Sequence, residues 1–305
     1  MRLRHPSGRI VHLSCELSPT PAETPVNLPV IVSQLDMYGA VRARLGADAL
    51  GVSLWLPPSL AAALAVESRA RTRLRAELDA RRLEVVTLSG APFDEGGGET
   101  PGWTEPARRE YTLDLARILL DLLDEDTVRG TVSTIGIGRR EGYAEAEEKA
   151  ALGILRRLSH GLADLAWQNG RAVRVGFQPA PGLVLDDPEQ TVAGLSRIDK
   201  DRLGVCLDLG HVARNWPDPA AGIETLTDAG LAIVEVRLTA VAGSTTGAWR
   251  DGLQQLFGRS GPLTENLTLM SRGATVEQIA GDLAYLLAEL AALGLAPENE
   301  PCPAR

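Results

Sequence analysis

Eight short apolar runs, each followed by a stretch of helical periodicity, constrain this chain more than any other feature. The runs are IVHLSCEL, LGVSLWL, EVVTLSG, GTVSTIGIG, VRVGFQP, LGVCLDLG, IVEVRLT and NLTLMSR. Several are rich in β-branched residues and nearly continuous in hydrophobicity, as strands covered on both faces should be. Helical patterns fill the gaps. One opens at Thr104-Glu105-Pro106, a candidate N-cap followed by an acid and a proline, with an apolar face through Tyr111, Leu115, Ile118, Leu119 and Leu122. A second carries Leu155, Leu158, Leu162 and Leu165 and stops at Gly170. A third begins with the capping box Thr275-Val276-Glu277-Gln278 and runs to Gly294.

Eight strands alternating with helices, without a break in composition, predict one closed (β/α)8 TIM barrel over residues 1–294 and a Pro-rich tail over 295–305. A doubly wound sheet is the competing architecture, but no G-x-G-x-x-G follows the first run. The loops DEGGGETPGW and GRREG lack the G-K-[ST] ending of a phosphate loop. Phe93–Trp103 and Ala240–Glu265 read as loops of the length used for lids.

Composition narrows the function classes. Hydrophobic residues make up 44% of the 305, enough for a large core. A formal charge of −9 argues against nucleic acid or an anionic membrane as the main partner. Cys15, Cys206 and Cys302 are far apart with no C-x-x-C, which predicts reduced thiols and no structural zinc. No run approaches the roughly 18 apolar residues of a membrane span, and the basic start MRLRHPSGRIVHLS has no apolar core of a signal peptide. The expected setting is the cytoplasm and the expected partner a small-molecule substrate. No pattern speaks to the oligomeric state.

Sites in such barrels form at the C-terminal ends of the strands. Polar residues there supply the candidates. Asp208 and His211 lie three apart where an apolar run stops, and together with Glu16 they are the expected catalytic groups. A carboxylate followed by a histidine can share a proton or bind a cation. The alternative is that Asp208 caps the next helix and His211 bonds to a loop. Gln178, Arg237, Trp55, Thr134 and Ser271 are the expected substrate contacts. Gln178 orients a carbonyl or hydroxyl but is a poor divalent-metal ligand. Arg237 supplies a fixed positive charge, or a salt bridge if it points outward.

The stretches MRLRHPSGRIVHLSC, LRAELDARRLEVVTLSGAPF, WTEPARREYTLDLARILLDLL, GTVSTIGIG, VRVGFQPAPG and LGVCLDLGHVA resemble the TIM-barrel "metabolite traffic" protein of the Ebo gene clusters. The resemblance runs in order from about residue 1 to residue 240. It implies membership of the wider xylose-isomerase-like group of sugar-phosphate isomerases and epimerases, and a place in secondary metabolism. That group holds a divalent metal with carboxylates after strands five and eight and with Asp or His after strand six. Relatives read L-E-P-E-P-G after strand five, where this chain has Phe177-Gln178-Pro179-Ala180-Pro181-Gly182. A histidine usual in the first loop is missing from CELSPTPAE, and no acid is evident in LTLMSRGA. Asp208 and His211 remain. Two ligands without the bridging carboxylates make a weak metal site, so no metal and no other cofactor is expected.

The expectation is therefore an isomerase-like enzyme performing metal-independent acid–base chemistry on a small oxygenated metabolite: proton transfer, cyclisation or elimination. The alternatives are a non-catalytic barrel that binds and hands over a metabolite, and a divalent-metal-dependent sugar or cyclitol epimerase.

Overall fold

Each apolar run places every second side chain on one face, and that alternation decides which face closes on itself. The computed structural model describes residues 1–17, 27–90, 102–239, 248–271, 273 and 275–298. The chain enters through β1 (Arg2–Arg4), β2 (Ile10–Leu17), α1 (Leu28–Leu45), β3 (Leu50–Trp55), α2 (Pro58–Val66), α3 (Ser68–Asp79) and β4 (Leu83–Gly90). It continues through α4 (Pro106–Leu122), β5 (Arg129–Ile135), α5 (Glu145–Asn169), β6 (Ala172–Gln178), α6 (Pro188–Leu195) and β7 (Leu203–Asp208). It ends with α7 (Leu209–Asn215), α8 (Pro219–Asp228), β8 (Ile233–Thr239), α9 (Ala248–Phe257), β9 (Asn266–Met270), α10 (Val276–Ala292) and β10 (Ala296–Pro297). Strands β2 to β9 are parallel in sequential order, and β2 pairs with β9 to close the barrel, with Ser14 opposite Thr268. This is the (β/α)8 TIM barrel expected from the alternation of runs.

The interior departs from expectation. The runs read as continuous hydrophobic strands, yet they alternate. Leu13, Val52, Leu88, Val132, Leu207 and Leu269 are buried in the hydrophobic core between barrel and helices. The opposite face carries Ser14, Ser53, Thr87, Ser133, Glu235 and Thr268, buried as well. Register shows that these share the inner surface: Glu16 lies opposite Ser53, Ser53 opposite Thr87, Ser89 opposite Ser133, and Cys206 opposite Glu235. Barrels of this class usually fill the interior with branched aliphatics. Here small hydroxyls line it, and the aliphatic residues hold the helices on.

Local signals explain several boundaries. α5 ends at Gly170, in the left-handed conformation with φ 66°, as the C-terminal glycine rule requires. Thr275 caps α10, its side chain accepting from the Gln278 N–H. At α4 the cap is Glu105, without a side-chain bond, rather than Thr104. Pro106 takes the first helical position, where its missing N–H costs nothing, and this moves the cap one residue on. The Ala240–Glu265 stretch, read as a loop, contains α9, which buries Trp249, Leu253, Leu256 and Phe257. The segment read as a tail begins with β10, whose Pro297 lies opposite Leu3 of β1. Residues 93–101 and 240–247 of the expected lids lie outside the described residues.

Candidate functional site at the barrel mouth

Three of the expected residues meet on the barrel axis. β8 turns Arg237 inward, where Nη2 donates to Glu16 Oε1 from β2 and Nη1 lies 3.4 Å from Gln178 Oε1 at the end of β6. Arg237 is 3% exposed and Glu16 9%, so the pair sits at the base of the mouth. Tyr38 of α1 donates to the Glu16 carbonyl at 2.8 Å and fixes the strand end that presents the carboxylate. Trp55 lies two residues beyond Ser53, the register partner of Glu16, so alternation puts it on the same inner face at the rim.

A fourth group went unseen in the sequence. Glu235 lies two residues before Arg237, is fully buried, and accepts from Thr268 Oγ1 at 2.7 Å through Oε1. The β7–β8 register shifts between Val205 and Cys206, whose partners are Ile233 and Glu235, so Val234 is an extra residue. Such bulges re-aim side chains near sites. Burial pushes the Glu235 carboxyl up to about 7, against the pull of Arg237 and the Thr268 bond, with the Glu16 charge adding to the rise. For Arg237, burial opposes the charge, but the Glu16 and Glu235 carboxylates outweigh it and hold the guanidinium above its usual range. Burial and then Glu235 raise the Cys206 thiol well above its usual value, which leaves it a protonated apolar wall. The signal was present in IVEVRLT: an acid and a base two apart share one face of a strand.

Asp208 and His211 do not form a side-chain pair. Asp208 lies opposite Arg237 in the β7–β8 register, at the half-buried rim. Its Oδ1 accepts the N–H of Gly210 at 2.8 Å and of His211 at 3.2 Å, so it caps α7. The first turn of a helix has unpaired N–H groups, and an aspartate at its head is the nearest acceptor. The buried His211 ring bonds elsewhere: Nε2 lies 3.3 Å from the Asp186 carbonyl and Nδ1 3.0 Å from Asn215 Nδ2. Asn215 donates to Nδ1, so Nε2 carries the proton and donates to Asp186. The cap and loop bonds weighed for these residues are both present, and the shared-proton dyad is replaced by two separately anchored groups.

Thr134 and Ser271 also lie apart from Arg237. Thr134 neighbours the inward-facing Ser133, so it points to the helical layer, where its hydroxyl meets Arg108. Ser271 donates to Asp282 of α10 at 2.7 Å and accepts from the Gly273 N–H at 3.0 Å, which pins the start of that helix.

The closed parallel barrel agrees with what comparison shows. Residues 40–245, more than half of the chain, match the xylose isomerase-like TIM barrel family. The chain belongs to that family. No curated protein sequence matches it. Similar solved structures include a D-psicose 3-epimerase in the presence of D-fructose, with 12% identity, a TM-score of 0.61, and coverage of 92% of this chain and 99% of that one. Another is 3-keto-D-glucoside 4-epimerase from E. coli, with 13% identity, TM-score 0.59, and coverage of 91% and 99%. A xylose isomerase-like TIM barrel protein from Mycobacterium smegmatis in complex with magnesium has 17% identity, TM-score 0.57, and coverage of 93% and 97%. Identities this low carry the fold alone.

The described residues at the mouth of this xylose isomerase-like barrel do not fit a divalent ion. Such ions need several hard, charged oxygens or imidazoles converging on one point. At the mouth a fixed cation, Arg237, already takes Glu16 and reaches Gln178. Asp208 commits one oxygen to its cap, and both ring nitrogens of His211 are engaged. Among the described residues no three His, Cys, Asp or Glu side chains cluster as ligands. Nor is any helix among them long and apolar enough to cross a membrane.

Proposed function

We propose that this barrel is a sugar-modifying, isomerase-like enzyme that moves a proton next to a carbonyl without a metal. The observation that carries the reading is the Arg237–Glu16 pair at the base of the mouth, above the buried Glu235. With Glu235 protonated, Glu16 and Arg237 cancel and the centre is neutral; with it ionised, the centre is negative. Neither state favours an anionic reacting group, so the substrate is an uncharged polyhydroxylated carbonyl compound.

The chemistry follows from the groups. Glu16 takes a proton from the carbon beside the carbonyl. The C–H electron pair forms the C=C bond, and the carbonyl electrons pass to oxygen. The Arg237 guanidinium stabilises that enolate oxygen. Return of the proton from Glu16 to the former carbonyl carbon, with the hydroxyl proton of the first carbon passing to the enolate oxygen, isomerises the sugar; a proton delivered by water from the opposite face, with Glu16 releasing its own proton to solvent, epimerises the first carbon. Trp55 offers an apolar face for the ring, and Gln178 and Asp208 offer hydrogen bonds to hydroxyls. Glu235, out of reach of substrate, is a positioning residue: its ionisation near neutral pH sets how much of the Arg237 charge remains for the oxyanion. The reactions named for the epimerases of similar fold, and the resemblance to Ebo proteins of secondary metabolism, support a keto-sugar or keto-cyclitol as substrate.

The test is solvent exchange. The protein, with chelator present, is incubated in D2O with a panel of ketoses and keto-cyclitols, and deuterium next to the carbonyl is read by mass spectrometry. Exchange by the native chain is expected, with a loss of about 10²–10⁴-fold in Glu16→Gln, the span for a positioned base. Exchange that needs added manganese or magnesium would contradict the reading. A second reading, a barrel that hands over a metabolite unchanged, draws on the mutual neutralisation of Glu16 and Arg237. It predicts binding of a panel member with no deuterium uptake.

A further inference from the structure

The barrel has a second polar opening at the end away from the mouth, where the strands begin. Arg129 starts β5, Arg174 lies near the start of β6, and Arg9 immediately precedes β2. Arg174 stands opposite Thr131 in the β5–β6 register. Thr131 Oγ1 donates across the barrel to the Val234 carbonyl at 3.3 Å, so Thr131 points inward. Arg174 shares that inner face, and so does Arg129, two residues before Thr131. With Arg9, Glu265 and Asn266 they border a cavity of about 40 Å³, room for about three waters or for one tetrahedral oxyanion.

Positive charge is in excess there. Glu265 is the single carboxylate among the described residues that line the cavity. Arg9 Nη2 donates to it at 2.9 Å, and Arg129 Nη1 lies 3.5 Å from it. Arg174 has no carboxylate of its own: its Nε donates to the Asp201 carbonyl at 2.9 Å. Burial first, and then the charge of Arg129, hold the Arg174 guanidinium below its usual range, against the pull of Glu265 and Asp201. With Nε taken, the Nη1–Nη2 edge remains, a pair of donors spaced to meet two oxygens of one oxyanion.

Asn266 sets the second requirement. It is 4% exposed. Its Nδ2 donates to Thr131 Oγ1 at 3.0 Å and to the Val234 carbonyl at 3.2 Å, and a carbonyl partner fixes which end of the amide is the nitrogen. The Oδ1 atom is buried and has no hydrogen-bond partner. A group that satisfies both Arg174 and Asn266 therefore accepts through several oxygens and donates through one. Hydrogen phosphate does both. Sulfate carries no proton at neutral pH and cannot donate. Water leaves the arginine charges unmatched.

We propose that Arg129, Arg174 and Asn266 form a binding site for a hydrogen phosphate group, free or at the end of a monoester, at the end of the barrel opposite the mouth. The site is separate from the Glu16–Arg237 centre and does not depend on the reaction assigned there.

Equilibrium dialysis of the full chain against radiolabelled inorganic phosphate, at constant ionic strength in sodium chloride, tests it. One phosphate per chain is expected. Affinity should fall about tenfold or more in Arg174→Gln and in Arg129→Gln, the effect of losing one charged hydrogen bond, and stay unchanged in Arg237→Gln. Sulfate should compete about tenfold less well, because it has no proton for Asn266. Displacement by glycerol 3-phosphate assigns the group to a monoester, and no displacement assigns it to the free ion. If Arg174→Gln fails to fold, Arg129→Gln decides, since that side chain is 42% exposed and its loss leaves the core intact. No saturable binding, which leaves the cavity to water, overturns the proposal. So does binding that both arginine variants leave unchanged, or equal competition by sulfate.

Discussion

Replacing Glu235 by glutamine tests the electrostatics of the barrel core directly. The change keeps the shape, and the amide oxygen can still accept from Thr268, but nothing titrates. In the folded protein the carboxyl holds its proton up to about pH 7, whereas its ordinary value is 4.5. Between those values the folded state binds more protons than the unfolded one, so stability is fully present below pH 4.5 and is lost as pH rises toward 7. A shift of that size, at about 1.4 kcal/mol per unit, is about 3 kcal/mol in all, of which about 2–3 kcal/mol falls between pH 5 and pH 8. The native chain alone will not show this cleanly. Burial lowers His12 to about 4, and that group contributes stability that rises with pH over a similar range. The difference between native and Glu235→Gln removes the common terms. Urea unfolding at half-unit pH steps, with linear extrapolation, measures it. Relative to the variant, the native chain should lose about 2–3 kcal/mol from pH 5 to pH 8. A difference that stays constant with pH would mean that Glu235 titrates as an ordinary carboxylate, and the tuning role assigned to it would go.

Other consequences are sharper in sign than in size. Arg237→Gln removes the cation that favours the ionised form of Glu235, so the midpoint of the same pH-difference curve should move above 7; an unmoved midpoint would separate the two residues. Asp208→Ala should cost about 1 kcal/mol of stability in urea unfolding and Asp208→Asn only a few tenths, because asparagine caps nearly as well. Since Asp208 and the His211 ring are anchored separately, stability losses of Asp208→Ala and His211→Ala should add in the double variant; strong non-additivity would restore a coupled dyad. Gly176→Ala should destabilise the barrel by about 1–3 kcal/mol, because the new Cβ would stand 2.5 Å from Val234 Cγ2 and 3.0 Å from Cys206 Cβ; thermal unfolding checks it. Equilibrium dialysis against manganese should leave no stoichiometric ion on the protein, and a tightly held ion would overturn the reading of Gln178 and Arg237.

The architecture was legible in the sequence because it rests on local, repeated signals. Strand length, helical period, Gly170 and the Thr275 cap are each decided within a few residues, and eight repeats of one unit leave few closed solutions. The placement of Glu16, Gln178 and Arg237 near the mouth followed from the same rule, since the end of a strand in this fold is a position in space. What the residues do there was settled by closure. Whether an alternating strand turns its aliphatic or its hydroxyl side inward depends on which face the helices cover, so the polar barrel interior emerged only when β2 met β9. Glu235 owes its burial to that choice and to an extra residue at Val234, a register shift that no single strand reveals. Asp208 and His211 show the converse. Their spacing is local, but the partners that claim them, the start of α7, Asp186 and Asn215, come together only in the folded chain. Spacing along the chain determines which face a side chain shares; the neighbours across the barrel determine whether it stays charged and what it can reach.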